Sequence, residues 1–150
     1  MKIITGIISA LLYAHAKGII HCDIKPTNIL LSQEGIPKLT DWGLAQMGHD
    51  RWSVSGFSPT YAAPEQQQAI PRCSELSDIW QIGMVWTELL TGHPTIPRGD
   101  EPVFQTETGG GLYRILTRCL ALRPSDRYQS MHELSEDIAK LFETEKNLRP

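Results

Sequence analysis

The run 79–90 predicts a helix that is apolar on more than one face. Ser77 and Asp78 can cap its start, and Gly92 can end it. Its apolar side chains are Ile79, Trp80, Ile82, Val85, Trp86, Leu89 and Leu90. A helix with so broad an apolar surface must be covered on several sides, because a single contact would leave much of that surface in water. We therefore expect the 150 residues to form one domain with this helix at its centre.

Three other segments have helical periodicity. The first covers 3–14 and stops before Gly18, and the second covers 112–122 and stops before Pro124. The last begins at the capping box Ser130-x-x-Glu133. Together with the central run, these segments predict a mainly helical chain.

Two short strands, 29–32 and 37–40, surround a turn and predict a small hairpin that ends at Asp41. The stretch 42–64 has neither helical nor strand periodicity, which is typical of a long functional loop or of a disordered one. We interpret Gly109-Gly110-Gly111 as a flexible connector. The predicted fold class is mainly α with a small β-hairpin, that is, α+β.

Composition argues against several kinds of protein. The net charge is -3, with 14 Lys and Arg against 17 Asp and Glu, and no basic stripe indicates a nucleic-acid partner. No stretch approaches the roughly 18 apolar residues that cross a membrane, so we expect no membrane partner. Cys22, Cys73 and Cys119 lie far apart without a C-x-x-C pair, which predicts neither a zinc site nor a disulfide and favours a reducing, cytoplasmic setting.

The first sixteen residues allow two interpretations. Lys2, an apolar run and then Ala14-His15-Ala16 are typical of a secretory signal with its cleavage site. The apolar residues of this run also repeat at helical spacing, and Gly18 follows as a stop signal. We adopt the amphipathic helix and keep the signal peptide as the alternative.

The segment His21-Cys22-Asp23-Ile24-Lys25-Pro26-Thr27-Asn28 carries groups suited to phosphoryl transfer. Asp23 can accept or orient a hydroxyl, and Lys25 can place a positive charge beside the transferred group. The Asn28 amide oxygen is a hard ligand of the kind that Mg²⁺ accepts, and Asp41, in Asp41-Trp42-Gly43, can hold a second metal position. The loop at 23–26 and the Asp41-Trp42-Gly43 turn each have a composition that is common in turns, but their occurrence together predicts one site.

The order of the motifs resembles eukaryotic-type protein kinases of the serine/threonine class. In that family the segment 21–28 is the catalytic loop, and the activation segment runs from Asp41-Trp42-Gly43 to Ala63-Pro64-Glu65. Ser77-Asp78-Ile79-Trp80-Gln81-Ile82-Gly83 resembles the family's central helix, and Arg127 matches its distal arginine. The resemblance covers nearly the whole chain and implies a kinase C-terminal lobe over 1–145 with a tail at 146–150.

The resemblance implies ATP and Mg²⁺ as cofactors and a protein with Ser or Thr hydroxyls as substrate. Asp23 and Lys25 would be the catalytic residues. Asn28 and Asp41 would hold the metal, and together with Leu30 they would contact the nucleotide.

Other residues are assigned structural roles by the resemblance. Asp78 would hold the catalytic-loop backbone, and an ion pair between Glu65 and Arg127 would anchor the activation segment. Ser58 stands where the family has a Thr that bonds to the catalytic Asp and Lys. The full structural set is His21, Trp42, Gly43, Ser58, Glu65, Asp78 and Arg127.

The sequence departs from the family in two ways. It contains no G-x-G-x-x-G loop, no V-A-I-K lysine and no partner glutamate helix, so we expect the N-terminal ATP-binding lobe to be absent from these 150 residues. That lobe either belongs to upstream sequence, has been lost, or is supplied by a partner domain. Cys22 also replaces the Arg that binds a phosphorylated activation loop, so control through phosphorylation of Ser53 or Ser55 should be weak or absent.

Three functions remain open from the sequence. The first is a serine/threonine kinase lobe that is weakly active or inactive alone. The second is a small-molecule phosphotransferase resembling aminoglycoside kinases, against which Lys25, Ala63-Pro64-Glu65 and Arg127 argue. The third is a non-catalytic, pseudokinase-like interaction module, against which Asp23, Asn28 and Asp41 argue.

Overall fold

Four α-helices and four short strands form the fold in the computed structural model, which describes residues 2–47, 56–106 and 108–148. The helices are α1 (Lys2–Ala16), α2 (Glu75–Thr91), α3 (Gly109–Cys119) and α4 (Met131–Leu148). The strands are β1 (Ile19–Ile20), β2 (Ile29–Leu31), β3 (Pro37–Leu39) and β4 (Gln46–Met47). This composition confirms the predicted mainly α class with a small hairpin.

Helix α2 lies at the centre, and every residue from 77 to 87 is buried. It packs against α1 and α3, and α4 packs against both of those helices. Its start differs from the prediction, because the N-cap is Ser74, whose Oγ accepts a hydrogen bond from the Leu76 amide at 3.2 Å. Ser77 and Asp78 therefore lie inside the first turn, where their side chains can bond to other segments.

Two antiparallel strand pairs frame the catalytic loop. In the hairpin, Ile29 of β2 lies opposite Leu39 of β3, as the sequence predicts. In the second pair, Ile19 of β1 lies opposite Met47 of β4, and strands of two residues are too short to show a pattern in the sequence. Because β1 ends just before the catalytic loop and β2 begins just after it, the strand pairs hold both ends of the loop.

Helix α4 extends through Leu148 and so does not mark a boundary at 145; the division into 1–145 and 146–150 stays a prediction. Within the described ranges, no helix is both long enough and apolar enough to cross a membrane. Ser53 and Ser55, named above as phosphorylation candidates, lie outside the described residues.

The prediction that Gly109-Gly110-Gly111 forms a flexible connector is wrong, because these residues make the first turn of α3. A Cβ on Gly109 would overlap the backbone of Val103 and Phe104, and one on Gly111 would meet the Leu141 side chain of α4. Two of the three glycines therefore permit close packing of the helix start rather than flexibility.

We predict opposite effects for alanine at two neighbouring positions of this turn. Gly109→Ala should lower the free energy of unfolding by about 1 to 3 kcal/mol, because the added methyl group has no space. Gly110→Ala is the matched control: its Cβ would meet nothing within 4 Å, so better helix propensity should raise stability by about 0.5 to 1 kcal/mol. Urea unfolding followed by circular dichroism measures both, and equal effects would contradict the packing described here.

Cys22 and Cys73 form a disulfide, with their Cα atoms 5.9 Å apart, so the prediction of no disulfide is wrong for this pair. The two cysteines are 51 positions apart in the sequence, and no short-range spacing reveals their proximity. They meet because the chain after Glu65 turns back, with the Arg72 amide donating to the Glu65 carbonyl at 3.1 Å. Cys119 is a buried free thiol. Cysteine usage therefore no longer favours a reducing compartment.

An ion pair joins the end of the activation segment to the chain that follows α3. Arg127 donates from Nη1 to Glu65 Oε1 and from Nη2 to Glu65 Oε2, both at 2.8 Å, and Nη1 also donates to the Leu76 carbonyl. The Arg127 side chain is 0% exposed and that of Glu65 is 12% exposed. Burial acts to raise the pKa of the Glu65 carboxyl, but the hydrogen bonds and charge of Arg127 outweigh it and hold that pKa below its usual value.

We predict that Glu65→Gln lowers the free energy of unfolding at pH 7 by about 3 to 5 kcal/mol, because it leaves the buried Arg127 charge unpaired. The folded-state pKa of Glu65 lies below its unfolded value of about 4.3, so the unfolded chain takes up this proton first as the pH falls. The gap between wild type and Glu65→Gln should therefore be complete above about pH 4.3 and shrink below it.

Denaturant unfolding across pH 3 to 7 measures this gap, with Glu143→Gln on the exposed face of α4 as the control. A gap that does not change with pH would contradict the assigned titration. A Glu65→Gln variant as stable as the control would contradict the buried ion pair itself.

Candidate active site

One carboxylate of α2 binds the backbone of the catalytic loop. Asp78, which is 0% exposed, accepts hydrogen bonds from the His21 amide through Oδ2 and from the Cys22 amide through Oδ1, both at 2.9 Å. His15, at the end of α1, adds a contact from Nε2 to Asp78 Oδ2 at 2.8 Å. The structure therefore gives Asp78 the contacts that the resemblance implied, and it adds His15, for which the sequence has no signal.

Cys22 adopts a backbone conformation that is uncommon outside glycine, with φ at 70°. Such a residue persists only where its surroundings determine its conformation, because the strained backbone costs of order 1 to 3 kcal/mol. Its amide is held by Asp78, and its side chain is held by the disulfide to Cys73. The loop immediately before Asp23 is thus fixed by several contacts at once.

Asp23, Lys25 and Ser58 form one contact cluster, although Ser58 comes from the activation segment. Lys25 Nζ lies 2.8 Å from Asp23 Oδ2 and donates to Ser58 Oγ at 2.6 Å. The Ser58 amide donates to Asp23 Oδ1 at 3.0 Å. Both oxygens of the Asp23 carboxylate are therefore engaged, and its orientation is set from two segments of the chain.

Asn28 is oriented by the same carboxylate. Its Nδ2 donates to the Asp23 carbonyl at 2.8 Å and to Asp23 Oδ2 at 3.3 Å, which directs the amide oxygen Oδ1 away from Asp23. The Asn28 carbonyl accepts from the Thr40 amide at 2.8 Å, so the residue that precedes Asp41 lies directly against Asn28. The hairpin thus brings the two predicted metal ligands to the same region.

Asp41 is exposed and has φ at 59°, in the left-handed region. A Cβ on Gly43 would come within 3.2 Å of Asp41 Oδ1, so the absence of a side chain at Gly43 leaves room for this carboxylate. Asn28 and Asp41 together offer an amide oxygen and a carboxylate, which suits Mg²⁺, an ion that often takes one or two protein ligands and completes its shell with phosphates and water. In the described part of the chain, no group of three His, Cys, Asp or Glu side chains could hold a metal by itself.

His21 and Trp42 connect the catalytic loop to the start of the activation segment. Their rings lie 4.5 Å apart between centroids and are tilted by 59°. His21 Nε2 lies 3.0 Å from the Thr40 carbonyl, and Trp42 Nε1 donates to the Leu39 carbonyl at 3.2 Å. Trp42 is 36% exposed, so in this chain it covers His21 rather than filling a closed apolar pocket.

Tyr61 attaches the activation segment to the central helix. Its hydroxyl donates to Glu88 Oε2 at 2.7 Å. Burial, with the hydrogen bond and charge of Glu88 as further causes, raises the pKa of Tyr61 to about 12, so the phenol stays neutral and continues to donate at physiological pH. Together with the Glu65 ion pair, this contact fixes the segment in which Ser58 stands.

Two further features are the predicted nucleotide contact and a surface groove. Leu30, the predicted nucleotide contact on β2, is 55% exposed. A groove of about 1040 Å³ begins at Thr60 and Ala62 of the activation segment and continues along Trp80 and Met84 of α2 to the chain between 93 and 102.

Two buried amides complete the surroundings of the catalytic loop, and neither has a signal in the sequence. Gln66 follows Glu65, and Gln81 lies on α2 one turn after Asp78. Both donate to the Cys22 carbonyl, at 2.8 and 2.9 Å respectively.

Comparison with known proteins gives a match over the whole chain. The family model described as "Protein kinase domain" matches residues 1–150. A probable serine/threonine-protein kinase of Dictyostelium discoideum is 33% identical over 144 residues, which is 93% of this chain and 20% of that protein. The serine/threonine-protein kinase PkaA of Streptomyces coelicolor is 34% identical over 139 residues, which is 81% of this chain and 25% of that protein. The serine/threonine-protein kinase PknB of Mycobacterium leprae is 30% identical over 162 residues, and the match covers 94% of this chain and 26% of that protein.

The chain thus spans between 20% and 26% of the length of these three relatives. Because the family match covers every residue, this chain belongs to the eukaryotic-type protein kinase family.

Proposed function

We propose that this chain provides the phosphoryl-transfer site of a protein serine/threonine kinase, acting on a Ser or Thr hydroxyl of a protein substrate with ATP and Mg²⁺ as cofactors. The observation that carries the proposal is the cluster of Asp23, Lys25 and Ser58. Two segments that are far apart in sequence converge on one carboxylate that neighbours Asn28. Such positioning is most of what phosphoryl transfer requires from a protein.

Each residue then has a distinct task. Asp23 orients the substrate hydroxyl and accepts its proton, while Lys25 places a positive charge beside the transferred group. Asn28 and Asp41 hold Mg²⁺, which when bound neutralises phosphate charge. Leu30, exposed on β2, offers an apolar surface to the nucleotide base.

The groove beside the activation segment is our proposed path for the protein substrate. One end of it is at Thr60, two residues after Ser58, whose amide donates to Asp23, and this end is where the substrate hydroxyl would approach the cluster. Both apolar and polar side chains line the groove, among them Trp80, Met84 and Glu101.

Further parts of the proposal concern the rest of the protein. The chain serves as the C-terminal lobe, over 1–145, and works with an N-terminal ATP-binding lobe that these 150 residues do not contain. The cytoplasmic localisation expected from the sequence stays a prediction.

We predict that the isolated 150-residue chain has little or no kinase activity, and that activity appears when a kinase N-terminal lobe is fused ahead of residue 1. The glycine-rich loop and strand lysine of the family constrain the γ-phosphate, and without them the loss should reach about 100-fold or more. ATP-dependent phosphorylation of a generic Ser/Thr protein substrate measures both forms, with Asp23→Ala in each as the control.

The three possible outcomes separate a kinase lobe from a non-catalytic interaction module. Activity only in the fusion, abolished by Asp23→Ala, supports the proposal. Robust Asp23-dependent turnover by the unfused chain would contradict the need for a second lobe. Inactivity of both forms would contradict the proposed catalysis and favour a non-catalytic module.

We also predict that Ser58→Ala lowers kcat about tenfold in whichever form is active, because Lys25 loses the hydroxyl that holds its ammonium group beside Asp23. Ser58→Thr keeps a hydroxyl at the same position and should retain most of the activity. Steady-state kinetics on both variants checks this, and an unchanged kcat in Ser58→Ala would contradict a role for the Ser58 hydroxyl.

A further inference from the structure

We propose that Gln66 and Gln81 act as one positioning unit that sets Asp23 relative to the activation segment; this inference rests on the proposed function. Both side chains are buried, with 0% and 1% exposure. A buried amide is retained at low cost only when all its hydrogen-bonding atoms are paired. In this pair every donor and acceptor has a partner.

Gln81 holds the peptide groups on both sides of Asp23. Its Oε1 accepts from the Ile24 amide at 2.8 Å, and its Nε2 donates to the Cys22 carbonyl at 2.9 Å. One side chain of the central helix therefore bonds to the residue before Asp23 and to the residue after it. A rotation of the loop that moved the Asp23 carboxylate would have to break these bonds.

Gln66 connects the Cys22 carbonyl to the activation segment. Its Nε2 donates to the Cys22 carbonyl at 2.8 Å, and its Oε1 accepts from the Ala63 amide at 2.9 Å and from Gln81 Nε2 at 2.9 Å. Ala63 lies in the segment that carries Ser58, whose amide and hydroxyl contact Asp23 and Lys25. The two glutamines thus fix the distance between the catalytic loop, which carries Asp23 and Lys25, and the activation segment, which carries Ser58.

The surrounding backbone groups determine the orientation of both glutamine side-chain amides. The Ile24 and Ala63 amides are donors and require the oxygens, whereas the Cys22 carbonyl requires the nitrogens. The Cys22 carbonyl belongs to the residue with φ at 70°, so the two donors stabilise a conformation that the chain does not favour by itself. This accounts for two glutamines at positions where apolar side chains would pack more easily.

The test uses Gln66→Met, Gln81→Met and the double variant, since methionine preserves length and volume but removes the amide. Gln68→Met, at an exposed position without a role in the cluster, is the matched control. We expect each single variant to lower kcat about 10- to 100-fold while KM for ATP and for the protein substrate changes less than about twofold. The double variant should be little worse than either single variant, because the two residues act as a unit.

Kinetics are measured in whichever form shows Asp23-dependent activity, with circular dichroism to confirm that each variant is folded. Hydrogen exchange of the peptide 21–25 gives an independent readout, and it should accelerate at least about fivefold while exchange in α4 is unchanged. Gln81→Asn should lower kcat as Gln81→Met does, since the shorter amide cannot span both peptide groups.

Asp23-dependent activity with unchanged kcat in Gln66→Met and Gln81→Met would overturn the inference and leave the proposed function intact. A loss explained by raised KM, or by global unfolding with faster exchange in α4, would also overturn it. Absence of Asp23-dependent activity in every form would overturn the proposed function and this inference with it.

Discussion

The carboxylate of Asp78 is the contact on which the rest of the site depends. It is completely buried, and it accepts from two successive backbone amides of the catalytic loop and contacts His15 of α1. Leaving such a charge without partners would cost several kcal/mol, so these contacts favour the observed arrangement of the helix, the loop and α1. The central helix therefore does more than fill the core, because its first turn determines the backbone from which Asp23 projects.

The described residues 56–65 of the activation segment are joined to this framework at three successive points. Ser58 bonds to Asp23 and Lys25, Tyr61 bonds to Glu88, and Glu65 bonds to Arg127. The C-terminal part of the segment is thus tied to the catalytic loop through Ser58 and to α2 through Tyr61. A substrate chain placed along this segment would be positioned with respect to Asp23 by the same contacts, which links packing to the proposed chemistry.

Sequence reasoning succeeded where the determining forces are local. The helical period of 79–90 and the hairpin both reflect neighbours within a few residues, and each is present in the structure. Contacts between distant segments were accessible only through family resemblance, as with Glu65 and Arg127. Where neither route applied, predictions failed or were missing. The Cys22–Cys73 disulfide, the helical start at Gly109 and the contacts of His15, Gln66 and Gln81 all depend on proximity that only the folded chain creates.

The most direct test of the central claim, that Asn28 and Asp41 form one nucleotide-dependent metal site beside the catalytic loop, is paramagnetic broadening of amide NMR signals by Mn²⁺ in the presence of ADP. This measurement detects weak binding and requires no turnover. The account predicts selective broadening at residues 21–28 and 40–43, lost in Asn28→Ala and in Asp41→Ala but retained in Asp126→Asn, which alters an exposed carboxylate outside the site. Broadening centred elsewhere in the chain, or unchanged in the Asp41→Ala variant, would contradict it.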